Sequence, residues 1–506
     1  MPQFRRHLAT GTFASALAIA AAGPAAAELR AADVWQDFQD YVVTYGMSIE
    51  AGSEETSGDT LTATDVVMTA EGQTEEAPDA SLRIPSIAFT ENADGTVSVD
   101  MADVATFDMA FEDVNGPVTM AFEIAQPDLS VTVREIDGGI AYDYEAPTLT
   151  LTATDVTEAG EPVPLEMAMT MSDNRGSYVT TGEAPALNEQ DFSASALSFD
   201  LSFSDETGEA AVTALFEGIT STSTSQVPEG VDLANLSQSV RDGFSTEGTF
   251  DFETSSYSID VVEETGPTSI SGGSAGGGGL SFTIGEEGLG YGTRSAGSRF
   301  SISGAEIPLP EVSATIARSG FDILFPILAS EEAAPFRMAI RLEELQIDES
   351  LWGLFDPAGA LDRSPWTLVL DMAGTATLDV DIMDPEATAA MDPNVSPVAA
   401  ESLDVTALQL SVLGAELTGQ GGFTFDNEDM TTFPGMPAPS GSLELMLTGA
   451  NALMDQVAAL GLVPEDQVMM GQMMLGMFAT STGEDSYEST VEIRDGGVFV
   501  NGTQVQ

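Results

Sequence analysis

The sequence predicts a mainly β protein: an elongated, curved antiparallel sheet or sheets, with short helices at the ends and a C-terminal helical hairpin. Three observations carry that reading. The first is the stretch Trp366 to Ile382. Trp366, Leu368, Leu370, Met372, Gly374, Ala376, Leu378, Val380 and Ile382 fall on every second position, and the set between them, Thr367, Val369, Asp371, Ala373, Thr375, Thr377, Asp379 and Asp381, is mostly polar. That period belongs to a strand with one dry and one wet face. Unbroken, it would run roughly 55 Å, with Gly374 a place to bend. The second is recurrence of the same alternation, as in Val118, Met120, Phe122, Ile124 and in Leu197, Phe199, Leu201, Phe203. The third is the turn pairs between runs, Asp94-Gly95, Asp137-Gly138 and Asp495-Gly496, which favour hairpins and a meandering antiparallel sheet.

In chain order, residues 1–27 read as a secretory signal peptide. Arg5 and Arg6 form the basic region, Leu8 to Gly23 is small and apolar, and Ala25-Ala26-Ala27 offers a cleavage site. The expected localisation is therefore the periplasm. No later run is long enough for a transmembrane helix, so no transmembrane anchor is expected once the signal is removed. Asp33 to Tyr45 reads as a leading helix, with Asp33 as N-cap and Gly46 as stop. It heads an N-terminal β-rich region, 28–270, that contains a short helix in Pro228 to Phe244. Ser271 to Gly279 is glycine-rich and reads as a loop or linker. A C-terminal β-rich region, 280–506, follows. Within it Phe336, Met338, Ile340 and Leu342 alternate, and the phase then slips to Leu345 and Ile347, which places a β-bulge near Glu343-Glu344. Residues 450–479 read as a helical hairpin and Val491 to Val500 as a closing β-hairpin.

Composition excludes most chemistry. The formal charge is -68, all 14 basic residues are Arg, there is no Cys, and the one His is His7 inside the signal. A mature chain without Lys, His or Cys cannot build a Ser-His-Asp triad, a thiol nucleophile, a Schiff base or a P-loop. An imidazole or thiolate zinc site is excluded as well. Nucleic acid and anionic membrane surfaces would repel such a charge. Carboxylate pairs remain as catalytic candidates, for which the acids would have to sit about 5 to 9.5 Å apart in an aromatic-lined cleft. The three Trp, at 35, 352 and 366, are dispersed. No catalytic, cofactor-binding or metal-binding residue is assigned, and no cofactor is expected.

The segment Glu349 to Pro357, Glu-Ser-Leu-Trp-Gly-Leu-Phe-Asp-Pro, then Arg363-Ser-Pro-Trp366 opening the long strand, resembles a bacterial family catalogued as domain of unknown function 2125. Gly449 to Gln506 resembles it too, with a helical pair followed by a hairpin around Asp495-Gly-Gly and Asn501-Gly. The resemblance covers mainly 330–506. It implies an exported, β-rich protein of no established activity and transfers no catalytic residue. More loosely, the layout of strands with one apolar face resembles AsmA-like envelope proteins associated with lipid movement.

The functional expectation is an exported, non-catalytic protein that binds lipid or another apolar ligand on a curved sheet face in envelope maintenance. An alternative is a periplasmic structural or interaction protein with a self-covered core, bound to an envelope protein. A third reading is a carboxylate-based hydrolase. The candidate apolar face is Trp366, Leu368, Leu370, Met372, Leu378, Val380, Met469, Met473 and Met477. Two readings of the methionines stay open: an adaptable surface for an acyl chain or partner, or a plug filling the end of the face.

Overall fold

The computed structural model describes residues 29–505 apart from 45, 71–77, 114–115, 183–184, 205–207, 233–234 and 392–395. The expected signal lies outside the described residues. The chain opens with α1 (Ala31–Thr44), two residues earlier than its Asp33 suggested; Asp33 sits in the first turn and pairs with Arg30. Next come β1 (Ser48–Ser57), β2 (Thr60–Ala70) and β3 (Asp79–Glu91). Two broken passes follow, β4 (Val97–Met101) with β5 (Val104–Asp113), then β6 (Gly116–Ala125) with β7 (Ser130–Ile136). β8 (Gly139–Glu158), the two-residue β9 (Glu161–Pro162), β10 (Leu165–Thr181), β11 (Ala186–Ser204) and β12 (Gly208–Val227) are continuous.

After α2 (Leu236–Arg241) come two more broken passes, β13 (Ser245–Phe252) with β14 (Thr254–Glu263) and β15 (Gly266–Ser274) with β16 (Gly278–Gly285). β17 (Gly288–Gly304), β18 (Val312–Phe325) and β19 (Ser330–Ile347) lead to α3 (Glu349–Phe355), β20 (Trp366–Leu378) and α4 (Pro385–Ala389). β21 (Val398–Val412), β22 (Ala415–Asp426) and β23 (Ala438–Thr448) precede the helical hairpin of α5 (Ala450–Ala459) and α6 (Glu465–Phe478). β24 (Thr480–Gly483), β25 (Ser486–Arg494), β26 (Gly497–Val500) and β27 (Thr503–Gln504) close the chain.

Among the described residues all 27 strands join one sheet, and every recorded pairing is antiparallel and between passes that are neighbours in sequence. The fold is thus a single long meander. Each broken pass meets a neighbour with both its halves: β12 pairs with β13 and with β14, and β17 with β15 and with β16. About twenty successive positions, spaced ~4.8 Å, give a sheet roughly 90 Å long.

A line of irregular residues crosses this sheet near mid-strand. Asp65, Asp173, Gly218, Gly297 and Glu344 all have left-handed backbones, with φ of 54°, 51°, 64°, 62° and 57°. The register sets Asp65 opposite Pro85, Asp173 between Pro147 and Ser195, and Glu344 opposite Ala317. The breaks between β4 and β5, β13 and β14, and β15 and β16 fall on the same line. At this seam the apolar phase changes by one. Leu61 and Ala63 lie before Asp65, Val66 and Met68 after it, yet all four are buried in one core cluster. A one-residue slip would normally send the second half of a strand to the opposite face. The left-handed kink cancels the slip, so both flanks of the seam turn their apolar side inward. Phe216 on one flank and Phe252 on the other meet at 5.2 Å, edge to face.

Four elements refine or correct the expectations. Of the two readings of the Gly-rich run 271–279, a loop or a linker, the structure shows a short loop between paired strands. The run supplies the end of β15, a tight turn and the start of β16, and the sheet runs through it. Ser274 Oγ donates to the carbonyl oxygens of Gly277 and Ala296 at 2.7 and 2.6 Å, and an added Cβ on Gly278 would meet the Phe252 ring at 2.5 Å. Glycine is used here for close approach. The long strand also stops at Leu378 rather than Ile382, because its partners β19 and β21 end there, at Ser330 and Val398. Asp381 instead accepts from the Ala329 amide at 2.6 Å and from Arg241 Nε at 3.0 Å. Among the described residues of 228–244, only Leu236–Arg241 are helical, and the apolar Leu351–Phe355 segment forms α3 instead of a turn.

Candidate functional site

The register converts the strand pattern into a surface. Residues paired directly across antiparallel strands point to the same side of the sheet. Starting from Phe89 in the N-terminal core, one such row runs through Val99, Val131, Tyr144, Gly176, Phe192, Ser221, Phe250, Leu280, Thr293, Phe321, Ile340, Leu370 and Leu408 to Gly419 and Leu445. On the other flank of the seam a second row joins Ile124, Leu151, Met169, Phe199, Ala214, Tyr257, Gly272, Phe300, Ala314 and Ile347. Neither row contains a charged side chain. The ion pairs Arg134–Asp143, Arg294–Asp251, Arg337–Asp322 and Arg341–Asp371 lie at the alternate positions, on the opposite face.

The lining is covered at both ends and open between them. At the N-terminal end α1 lays Val34, Trp35 and Val42 into the cluster of Ile87, Phe89, Val97 and Val133. Trp35 packs 5.6 Å from Phe89, and its Nε1 donates to Glu54 at 3.0 Å. Tyr142 donates to Asp37 beneath this helix; burial and the carboxylate push its phenol far up from the ordinary tyrosine range. In the middle, α2 covers one flank through a small cluster of Leu236, Val240 and Ile327. Elsewhere the face is only partly covered: Leu280, Phe282 and Tyr291, and Phe300 and Tyr257 across the seam, are exposed, while Phe192, Phe250, Phe321 and Ile340 are half-buried. Water-facing aromatics aligned along one uncharged strip describe an open groove rather than a filled core.

At the C-terminal end the next row, Leu368, Leu410, Leu417 and Leu447, passes under the α5–α6 hairpin. There Leu410, Val412, Leu417, Leu447, Leu453, Met454 and Leu475 line an open pocket of about 440 Å³ with almost no polar surface. Gly471 lets α6 approach: a Cβ added there would lie 3.0 Å from Met454 Sδ.

The structure brings together only part of the expected face. Leu370 and Met372 are half-buried within the groove and Leu368 is 37 % exposed. Leu378 is fully buried, and Trp366 stands edge-on to Trp352 at 6.2 Å. Val380 falls outside the strand, in the turn that follows. Met469, Met473 and Met477 are 70, 61 and 64 % exposed, which overturns the plug reading. Val468 and Leu475 are the residues α6 turns toward the sheet, and its methionines look outward. The sequence showed apolar alternation at Ile124 and Phe199 but did not join the N-terminal and central strands to the candidate face. Left-handed kinks at Asp65, Asp173, Gly218 and Gly297 are of the same kind as the one at Glu344, but the alternation around Asp173 and Gly218 is too faint to show the slip.

Among the described residues no group of three or more His, Cys, Asp and Glu is placed to hold a metal ion, and no helix is long and apolar enough to cross a membrane. No curated protein and no solved structure matches the chain. From β15 to the last strand, residues 267–505 match the family model described as an uncharacterized protein conserved in bacteria, domain of unknown function 2125.

Proposed function

We propose that the protein is an exported, non-catalytic carrier that holds the acyl chains of lipids along the seam-lined groove and serves maintenance of the cell envelope. The observation behind this reading is the uncharged, half-bare strip that runs the length of the sheet in a molecule of formal charge -68. A chain so rich in carboxylates that keeps them off one continuous face has a use for that face. Acyl burial contributes about 0.8 kcal/mol per CH₂, so a chain laid across several strands gains enough to be retained. Between its covered ends the strip is open, which suits extended, chemically varied tails better than one rigid ligand. The basic, apolar, small-residue order of residues 1–27 supports export to the periplasm.

Native mass spectrometry of the purified mature chain tests this. Bound phospholipid is expected, and is expected to be lost from Leu280→Asp/Phe300→Asp, which puts a carboxylate on each flank of the seam. A wild-type preparation that carries no lipid and takes up no fluorescent acyl probe would overturn it.

A further inference from the structure

We propose that the C-terminal hairpin docks the protein on a zwitterionic lipid bilayer, with the outer face of α6 seated among the acyl chains. This rests on the lipid-carrier reading and names where lipid passes between the groove and a membrane. α6 is apolar on two sides. One side is turned toward the protein: Val468 is buried, and Leu475 lines the pocket at the end of the groove. The other carries Met469, Met470, Met473, Met474, Met477 and Phe478, all exposed, with Leu462 of the preceding turn beside them. A helix apolar all round belongs inside an apolar medium, and here only half of that medium is protein.

Charge selects what supplies the other half. From Gln467 to Gly483 no residue is charged, while the whole chain carries -68. A second copy would bring the same negative field against this one, and an anionic leaflet would do the same. A zwitterionic surface carries no net charge and imposes no such repulsion. Methionine suits the role: unbranched and polarisable, it adapts to a fluid, irregular partner. The helix is too short to span a bilayer, so it lies in the interface plane. The acids of α6, Glu465 and Asp466, are confined to its first turn, where they remain in water at the rim. Because the pocket lies directly beneath this helix, seating α6 in the leaflet brings the end of the groove to the acyl layer.

Vesicle flotation of the full mature chain decides the matter, with lipid content of the same preparations read by native mass spectrometry. The wild type is expected to float with phosphatidylcholine vesicles. Met469→Gln/Met473→Gln/Met477→Gln is expected to lower partitioning by about tenfold or more, since three buried apolar side chains are removed from the contact. These side chains are already exposed, so the variant is expected to melt with the wild type and keep its bound lipid. Phosphatidylglycerol vesicles are expected to bind less at low salt and to recover as salt screens the repulsion. A wild type that does not float, or a triple variant that floats equally well, overturns the proposal. So does a wild-type dimer that the triple variant dissociates in the absence of vesicles. Flotation that persists in a chain carrying no lipid would sink the carrier reading and leave the docking surface standing.

Discussion

Asp381 shows how single carboxylates in this acid-rich chain are given structural work. It accepts from Arg241 Nε at 3.0 Å and Nη2 at 2.5 Å, and from the Ala329 amide at 2.6 Å, while the same guanidinium donates to the Ala329 carbonyl at 2.9 Å. One ion pair thereby ties α2, the start of β19 and the end of β20 where they cover the groove. Arg241 holds the Asp381 carboxyl below its ordinary value, burial opposes this, and the Ala329 amide adds to the lowering. A carboxylate with a depressed folded-state pKa contributes stability above its unfolded value, about 3.9, and loses it as pH falls through the folded value. Asp381→Asn is therefore expected to cost about 1–2 kcal/mol at pH 7, the pair being partly exposed. The gap between variant and wild type in urea denaturation is expected to close below about pH 4. The difference between the two proteins is the proper readout, since acid also relieves the general repulsion. A gap that stays constant down to about pH 2 would show that the ionised form is not what matters.

At the scale of one strand, the seam is the instructive feature. Glu344 is exposed and holds φ of 57° with no left-handed preference of its own. Its amide donates to Thr367 Oγ1 at 3.2 Å, a bond that any residue keeps. Glycine adopts this backbone without the Cβ penalty, so Glu344→Gly is expected to stabilise by about 0.5–1 kcal/mol in chemical denaturation. Destabilisation would mean that the side chain, not the kink, is what this position needs. The bulge here was legible because β19 alternates strongly on both sides, from Phe336 to Leu342 and from Leu345 to Ile347. The equivalent kinks in β10 and β12 sit among Ser, Thr, Asn and Gly, where alternation is faint and a slip leaves little trace. The Gly-rich segment 271–279 left loop and linker both open for a related reason: composition records glycine's freedom, whereas Phe252 packed over Gly278 is a long-range fact. Helices α5 and α6 were readable from their spacing. The direction in which the methionines point was not, because a helix apolar all round has no side that sequence alone can call inward.

For the molecule as a whole, the governing quantity is charge density. At -68 with 14 arginines, of which Arg83, Arg134, Arg241, Arg294, Arg318, Arg341 and Arg363 are among those already paired, most carboxylates face one another across the outer surface. Screening shortens the reach of that repulsion from about 30 Å at 0.01 M salt to about 3 Å at 1 M. The melting temperature is therefore expected to rise steadily with sodium chloride, the opposite of a fold held by surface ion pairs. A fall over the same range would show that the paired arginines outweigh the unpaired acids. The meander has one more consequence, which concerns how the chain is made. Since each pass hydrogen-bonds only to the passes before and after it, no early segment must wait for a distant one to arrive. On the proposed export, a polypeptide threaded vectorially, amino end first, can zip itself up behind the translocation pore: α1 and the first hairpins make the seed, and each emerging strand adds to a ready template.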